Sequence, residues 1–388
     1  MINLNNRLTA LLLLALSPVL PAQSIGTLGE VSVLLEDASV SRSLAAAASP
    51  DGTVFVVVRE ERWDDPDSER YQIASCQATN CQPGNVARTQ RAPAEMERIS
   101  QLSAAATVGT GFGFIAHYPI ETPGPRGGMR RSHAGYRWHL CEDAACSRLI
   151  ETDLPQVESR SGNLMLTGIA DVQPSFVLSV SPHQGDPYAE FWTCRDARCS
   201  EVNRNRLGAI GQMEIDAIPS NNPPVIYVQD FDANPERNLL LQCSDASCNS
   251  SRLRTLNRCL QVVGTSSKDR VWGKGCGRGN RSLWSLNDIR GQASIERVNL
   301  SVDSLQAVQT LGEHFLFLAD TGTRDDPDLR LIRCADPNCN SIVGNQPATA
   351  ISGDYPSGLR MLGLPGGRIA FVWGDGDVGG IFLRTLSP

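Results

Sequence analysis

Five pairs of cysteines recur along the chain with one spacing, C-x4-C: Cys76/Cys81, Cys141/Cys146, Cys194/Cys199, Cys243/Cys248 and Cys334/Cys339. The segments around them align as well. Leu140-Cys-Glu-Asp-Ala-Ala-Cys146, Thr193-Cys-Arg-Asp-Ala-Arg-Cys199, Gln242-Cys-Ser-Asp-Ala-Ser-Cys248 and Arg333-Cys-Ala-Asp-Pro-Asn-Cys339 place an Asp two positions after the first cysteine, whereas Ser75-Cys-Gln-Ala-Thr-Asn-Cys81 lacks it. Three positions before each first cysteine stands a large apolar residue: Ile73, Trp138, Phe191, Leu240, Leu331. A repeat with a period near 50 residues means that one supersecondary unit is built several times and buries its apolar faces against its neighbours.

Upstream of each pair comes a short apolar run: Val54-Phe-Val-Val-Val58, Phe112-Gly-Phe-Ile-Ala116, Phe176-Val-Leu-Ser-Val180, Val225-Ile-Tyr-Val228 and Phe315-Leu-Phe-Leu-Ala319. Two more, Val271-Trp272 and Ile369-Ala-Phe-Val-Trp373, lack the cysteine signature. Runs this short and rich in Val, Ile and aromatics read as strands buried on both faces. Turn signals such as Ser49-Pro-Asp-Gly52, Ser220-Asn-Asn-Pro-Pro224 and Leu364-Pro-Gly-Gly367 precede them, with a strand of small residues before that. Each unit is then strand, tight turn, buried strand, variable polar loop, strand, cysteine hairpin, strand. The expected fold is all-β, a seven-bladed β-propeller of four-stranded antiparallel blades, with six or eight blades following if a weak unit is misread. A sandwich or β-solenoid is the rival. The segment 94–102 has helical propensity and is expected as a short surface helix.

The ends suit ring closure. The last unit stops after its third strand, and Glu30-Val-Ser-Val-Leu-Leu35 is strand-like, so residues 29–36 are expected to complete the last blade and remove an open edge. The fifth unit carries Cys259 and Cys276 instead of a C-x4-C pair. A hairpin centred on Ser267-Lys268 sets them opposite each other, giving a cross-strand bridge and six local disulfides in all. Zinc would need four clustered ligands, and each pair stands alone in its repeat. Redox C-x-x-C spacing is absent.

The Cys-x-Asp-x-x-Cys hairpin, seen most fully in Pro224-Val-Ile-Tyr-Val-Gln-Asp230 through Cys248, resembles secreted bacterial repeat proteins with C-x-D-x-x-C hairpins. The resemblance covers most of the chain. It implies a propeller-like fold and export, and brings no catalytic residues.

Export is also expected from residues 1–23, which read as a signal peptide: Arg7, the apolar stretch from Leu8 to Leu16, then Pro18 and the small residues around Ala22. Residues 24–388 form a single propeller domain in this reading, secreted or periplasmic, with no membrane span. With 35 basic against 42 acidic residues the net charge is −7, which argues against nucleic-acid binding.

No H-E-x-x-H, G-x-S-x-G or phosphate loop occurs. Ser49-Pro-Asp-Gly-Thr53 resembles a sialidase Asp box with short spacing and no Trp, and reads as a turn. Asp230-x-Asp232-x-Asn234 imitates the start of a calcium loop, but Pro235 and Leu241 stand where Gly and a bidentate Glu are needed. No cofactor is expected, calcium in another geometry being the alternative. The loops between second and third strands are the most variable. Three are acidic, at 64–69, 230–236 and 325–328, and one, 123–137, is long and basic. The candidate ligand-binding residues are Arg126, Arg130, Arg131, His133 and Arg137, whose forks suit anions, with Asp230, Asp232, Asp325 and Asp326 on the acidic loops. Trp138, Trp192, Trp272, Trp284 and Trp373 are assigned to packing, and Trp63 is the candidate exposed ring. The expectation is a monomeric, non-catalytic binding module for an extracellular or envelope protein or an acidic glycan. A carbohydrate-active hydrolase or lyase working at the mouth of the central channel is the alternative.

Overall fold

A computed structural model describes residues 25–36, 40–60, 70–91, 101–108, 111–123, 129–157, 161–170, 173–182, 184–209, 213–218, 225–230, 237–245, 247–266, 270–275, 282–322, 328–348, 351, 357–375 and 379–388. Strands dominate them, in sheets whose members pair antiparallel in sequence order. Sheet one holds β3 (Val40–Ala48), β4 (Thr53–Glu60), β5 (Arg70–Gln77) and β6 (Ala87–Arg91). Sheet two holds β7 (Gln101–Val108), β8 (Gly111–Pro123), β9 (Met129–Cys141) and β10 (Leu149–Asp153). Sheet three holds β11 (Ser161–Ala170), β12 (Gln173–Ser181), β13 (Tyr188–Cys194) and β14 (Val202–Ala209). Sheet four holds β15 (Met213–Ile218), β16 (Val225–Asp230), β17 (Arg237–Cys243) and β18 (Ser251–Leu256). Sheet five holds β19 (Leu260–Ser266), β20 (Arg270–Gly275), β21 (Leu283–Asn287) and β22 (Ser294–Arg297). Sheet six holds β23 (Ser304–Leu311), β24 (His314–Asp320), β25 (Leu329–Cys334) and β26 (Ile342–Pro347). The last sheet holds β27 (Ser357–Leu364), β28 (Arg368–Asp375) and β29 (Gly380–Ser387), and β29 pairs with two N-terminal strands, β1 (Thr27–Leu28) and β2 (Ser32–Glu36). N-terminal pairing therefore starts at Thr27, earlier than the expected 29–36.

The apolar runs are the second strands, and their alternation explains why both faces are buried. In β4, Phe55 and Val57 face sheet two, whereas Val54, Val56 and Val58 face the last sheet. In β8, Phe112 and Phe114 point back to sheet one, and Ile115 points on to sheet three. Each core cluster is thus shared by two consecutive sheets, and one joins β28 and β29 to β4. First strands also lie beside one another in order, β3 next to β7 and so on, with β27 next to β3. The residues three before each first cysteine are all buried. Trp138, Trp192, Trp272 and Trp373 are core residues as well, and Trp284 lies under the Arg258 guanidinium at 4.0 Å.

Two glycines in β8 permit its close pairing with β9. A Cβ on Gly111 would lie 1.7 Å from the Cys141 carbonyl oxygen, and one on Gly113 would lie 2.1 Å from the Trp138 ring.

Two expectations are corrected. β7 starts at Gln101 and so takes the last two residues of the segment expected as helix; the rest lies outside the described residues. The basic stretch 123–137, expected as a loop, is mostly strand. β9 runs from Met129 and pairs with β8 as far as Pro123↔Met129, because the main chain closes rungs there whatever the polarity of the side chains.

Candidate binding face

Antiparallel order sends the first-to-second and third-to-fourth connections out of one end of every sheet, and the other connections out of the opposite end. The cysteine hairpins occupy the first end. The disulfides Cys76–Cys81, Cys141–Cys146, Cys194–Cys199, Cys243–Cys248 and Cys334–Cys339 are formed. In the four hairpins that carry the Asp, its carboxylate accepts main-chain N–H groups across the turn: Ser147 N at 3.0 Å for Asp143, and Arg198 N and Ser200 N at 2.9 and 3.1 Å for Asp196. The turn sets the second cysteine in the left-handed region, at φ 50° to 54° for Cys146, Cys199, Cys248 and Cys339. Cys81, in the hairpin without the Asp, is not among the residues with positive φ. The Ser147 and Ser200 hydroxyls with these N–H groups hold the Asp143 and Asp196 carboxyls below the usual carboxylate range.

Carbonyls at the hairpin tips then dock on the preceding sheet. Trp138 Nε1 donates to Ala197 O at 2.8 Å, Trp272 Nε1 to Pro337 O at 3.0 Å, and Asn205 Nδ2 to Ser247 O at 2.6 Å. The fifth hairpin, without cysteines, docks through Gln292 O, which accepts from Arg254 Nη2 at 2.7 Å. Cys259 is disulfide-bonded. The Leu260↔Gly275 register is the one a Cys259–Cys276 bridge requires of its neighbours, and Cys276 lies outside the described residues. Ser49–Thr53 is a turn, as expected: Thr53 N donates to Asp51 Oδ1 at 2.9 Å, Ser49 N donates to Thr53 O at 2.8 Å, and the Ser49 hydroxyl and Thr53 N–H lower the Asp51 carboxyl.

The opposite end is built differently. Past His117 on β8 and Tyr136 on β9, the two strands pair only with each other among the described residues. Six residue pairs, from Tyr118↔Gly135 to Pro123↔Met129, form a two-stranded arm, about 20 Å long at the usual strand rise. Arg130 lies opposite Thr122, Arg131 opposite Glu121 and His133 opposite Ile120. Arg137 lies at the base, half-buried, and its Nε is 2.7 Å from Asp153 Oδ1, so its fork is engaged within the sheet. Asp230 ends β16 opposite Arg237. Arg126, Asp232, Asp325, Asp326 and Trp63 lie outside the described residues. The described residues that end the second strand and begin the third in sheets four and six, Asp230 and Arg237, and Asp320 and Leu329, lie at the same end of their sheets as the arm does in sheet two.

Beneath the arm lies a cluster no local motif announced. Glu190, buried, accepts from Nε and Nη2 of Arg204 at 2.7–3.0 Å and from the Trp192 Nε1–H at 2.7 Å. Tyr136 packs edge-on to Trp192 and stacks on His117, and its hydroxyl is buried with no hydrogen-bond partner among the described residues. Burial, reinforced by the Glu190 charge, raises the Tyr136 hydroxyl well above its ordinary value. His139, sealed between Phe114 and Tyr71, is held by burial below the usual imidazole value and is a neutral packing residue.

No group of three or more metal-ligating side chains occurs among the described residues, and no helix there is long and apolar enough to cross a membrane. No family model matches the chain, and no curated protein matches it. Solved structures do. The chain is similar to the polysaccharide lyase Uly1 at TM-score 0.56 and 10% identity, covering 93% of this chain and 99% of that one. It is similar to the Penicillium chrysogenum alpha-L-arabinanase complexed with arabinobiose at TM-score 0.52 and 9% identity, over 93% and 98%. A chain of the mitotic checkpoint complex matches at TM-score 0.51 and 11% identity, over 96% and 95%. These neighbours are β-propellers, and identities this low carry the fold alone: the chain is an all-β, propeller-like protein built of antiparallel sheets and stapled by disulfides.

Proposed function

We infer that the protein is an exported seven-bladed propeller, closed by its N-terminal strands, that acts as a non-catalytic binding module. Its stapled end locks neighbouring blades together, and its opposite end presents the binding face. The arm carries this reading: among the described residues its six rungs pair with nothing else in the sheet. The segment from Tyr118 to Gly135 holds three arginines and one carboxylate in a chain of net charge −7. A cationic projection on an acidic body draws acidic partners and repels them elsewhere, which gives orientation. Guanidinium forks favour carboxylate or sulfate groups, so an acidic glycan is the partner class. Five disulfides support an oxidising compartment outside the cytosol.

Retention of the mature protein on sulfated and uronate polymer resins, eluted with salt, tests this. The wild-type protein is retained, and the Arg130→Ala/Arg131→Ala variant elutes at clearly lower salt with an unchanged melting temperature. Equal elution of the two, or retention on neutral polymer alone, removes the arm from the account. Cleavage of a retained polymer would turn the reading to a lyase or hydrolase.

A further inference from the structure

We propose that a polar cleft between sheets five and six is a second ligand site, for a sugar acid, separate from the arm. The cleft has a volume of about 670 Å³, inside the roughly 300–1,000 Å³ span of small-molecule sites. It opens where the repeat departs from its pattern. β21 and β22 have five and four residues there, and the connection from Val298 to Asp303 leads from the end of β22 to the first strand of sheet six. Its apolar surface comes from half-buried Leu300, which packs on Leu283, Val298 and Val302 of the core shared by the two sheets. The walls are polar, with Arg297, Asn299, Ser301, Asp303 and Thr321.

That division fits an amphipathic ring. A pyranose buries its C–H face on apolar surface and needs donors and acceptors around its edge, which hydroxyl, amide and carboxylate side chains supply. Arg297 is exposed and makes no ion pair among the described residues, and its planar fork is the group that would select a carboxylate on that ring. Asp303, which lines the same cleft, disfavours a bare inorganic anion by its charge.

The neck of this region is firmly held. Gly275 N donates to Ser282 O at 3.1 Å on one side. On the other, Asp320 Oδ1 accepts from Gly322 N and Asp328 N, each at 3.0 Å. Cys259, the one described cysteine outside the C-x4-C hairpins, immediately precedes β19 at this same end of sheet five.

Calorimetric titration of the mature protein with digalacturonate, galactobiose and acetate tests the proposal. Digalacturonate binds, and the neutral disaccharide and acetate each bind at least about ten-fold more weakly. Arg297→Ala weakens digalacturonate by roughly ten- to hundred-fold, with the fold checked by an unchanged melting temperature. Arg130→Ala/Arg131→Ala leaves this affinity unchanged, which separates the cleft from the arm. Absence of digalacturonate binding, binding indifferent to Arg297→Ala, or binding lost in the arm variant overturns it.

Discussion

The hairpin aspartates act on the main chain. Asp143 and Asp196 collect N–H groups that the tight turn would otherwise leave to water, and so make a left-handed cysteine tolerable within a disulfide. Their carboxyls are held below the usual 3.8 by serine hydroxyl and main-chain donors. A depressed carboxyl contributes stability that is fully present above its unfolded value and is lost as pH falls through its folded value. The melting temperature should therefore hold level above about pH 5 and fall below about pH 4. In Asp143→Asn/Asp196→Asn it should be lower at neutral pH with a flatter acid limb, which a melting series across pH checks. Tyr136 tests the opposite case. Its buried hydroxyl has no hydrogen-bond partner among the described residues, so Tyr136→Phe should keep the Trp192 and His117 packing and gain about 1 kcal/mol in denaturant unfolding. A loss of that size would mean that the hydroxyl has a partner.

At the scale of the element, the hairpins fasten each sheet to the one before it. Removing one staple by Cys194→Ser/Cys199→Ser should cost about 2 kcal/mol, with the Trp138–Ala197 docking loosened and Trp138 fluorescence altered. Gly113→Ala forces the Trp138 indole away from β8 and should cost about 1–3 kcal/mol by the same measurement. These elements were legible in the sequence because cysteines mark the end of the third strand in five of the sheets and short apolar runs mark the second strands. The arm was not. Met129-Arg-Arg-Ser-His-Ala-Gly135 has no apolar alternation, the pattern from which a strand is read, and its rungs are main-chain pairings that such a pattern does not record. The cleft was illegible for another reason: Arg297 and Asp303 become neighbours of Thr321 only when two sheets pack, and no local spacing records that. Asp232, Asp325 and Asp326 remain sequence-based candidates.

For the whole molecule, the N-terminal segment is the piece that makes the two ends of the chain one structure. Ile25 enters the core between sheet six and the last sheet, and Leu34 and Leu35 enter the core between the last sheet and sheet one. Gly29 N donates to Thr385 O, and Arg88 Nε from sheet one donates to Leu34 O, both at 2.8 Å. Burying three such side chains is worth roughly 5–9 kcal/mol, as much as the net stability of an ordinary domain. The proposed binding face requires a closed ring, so closure is the claim to test. Equilibrium denaturation of a chain of residues 24–388 against a form lacking residues 25–36 does so, with the 25–36 peptide then added in trans. The account predicts loss of the cooperative transition or aggregation in the truncated form, and recovery with the peptide. A truncated protein that unfolds cooperatively at the midpoint of the full chain would contradict it.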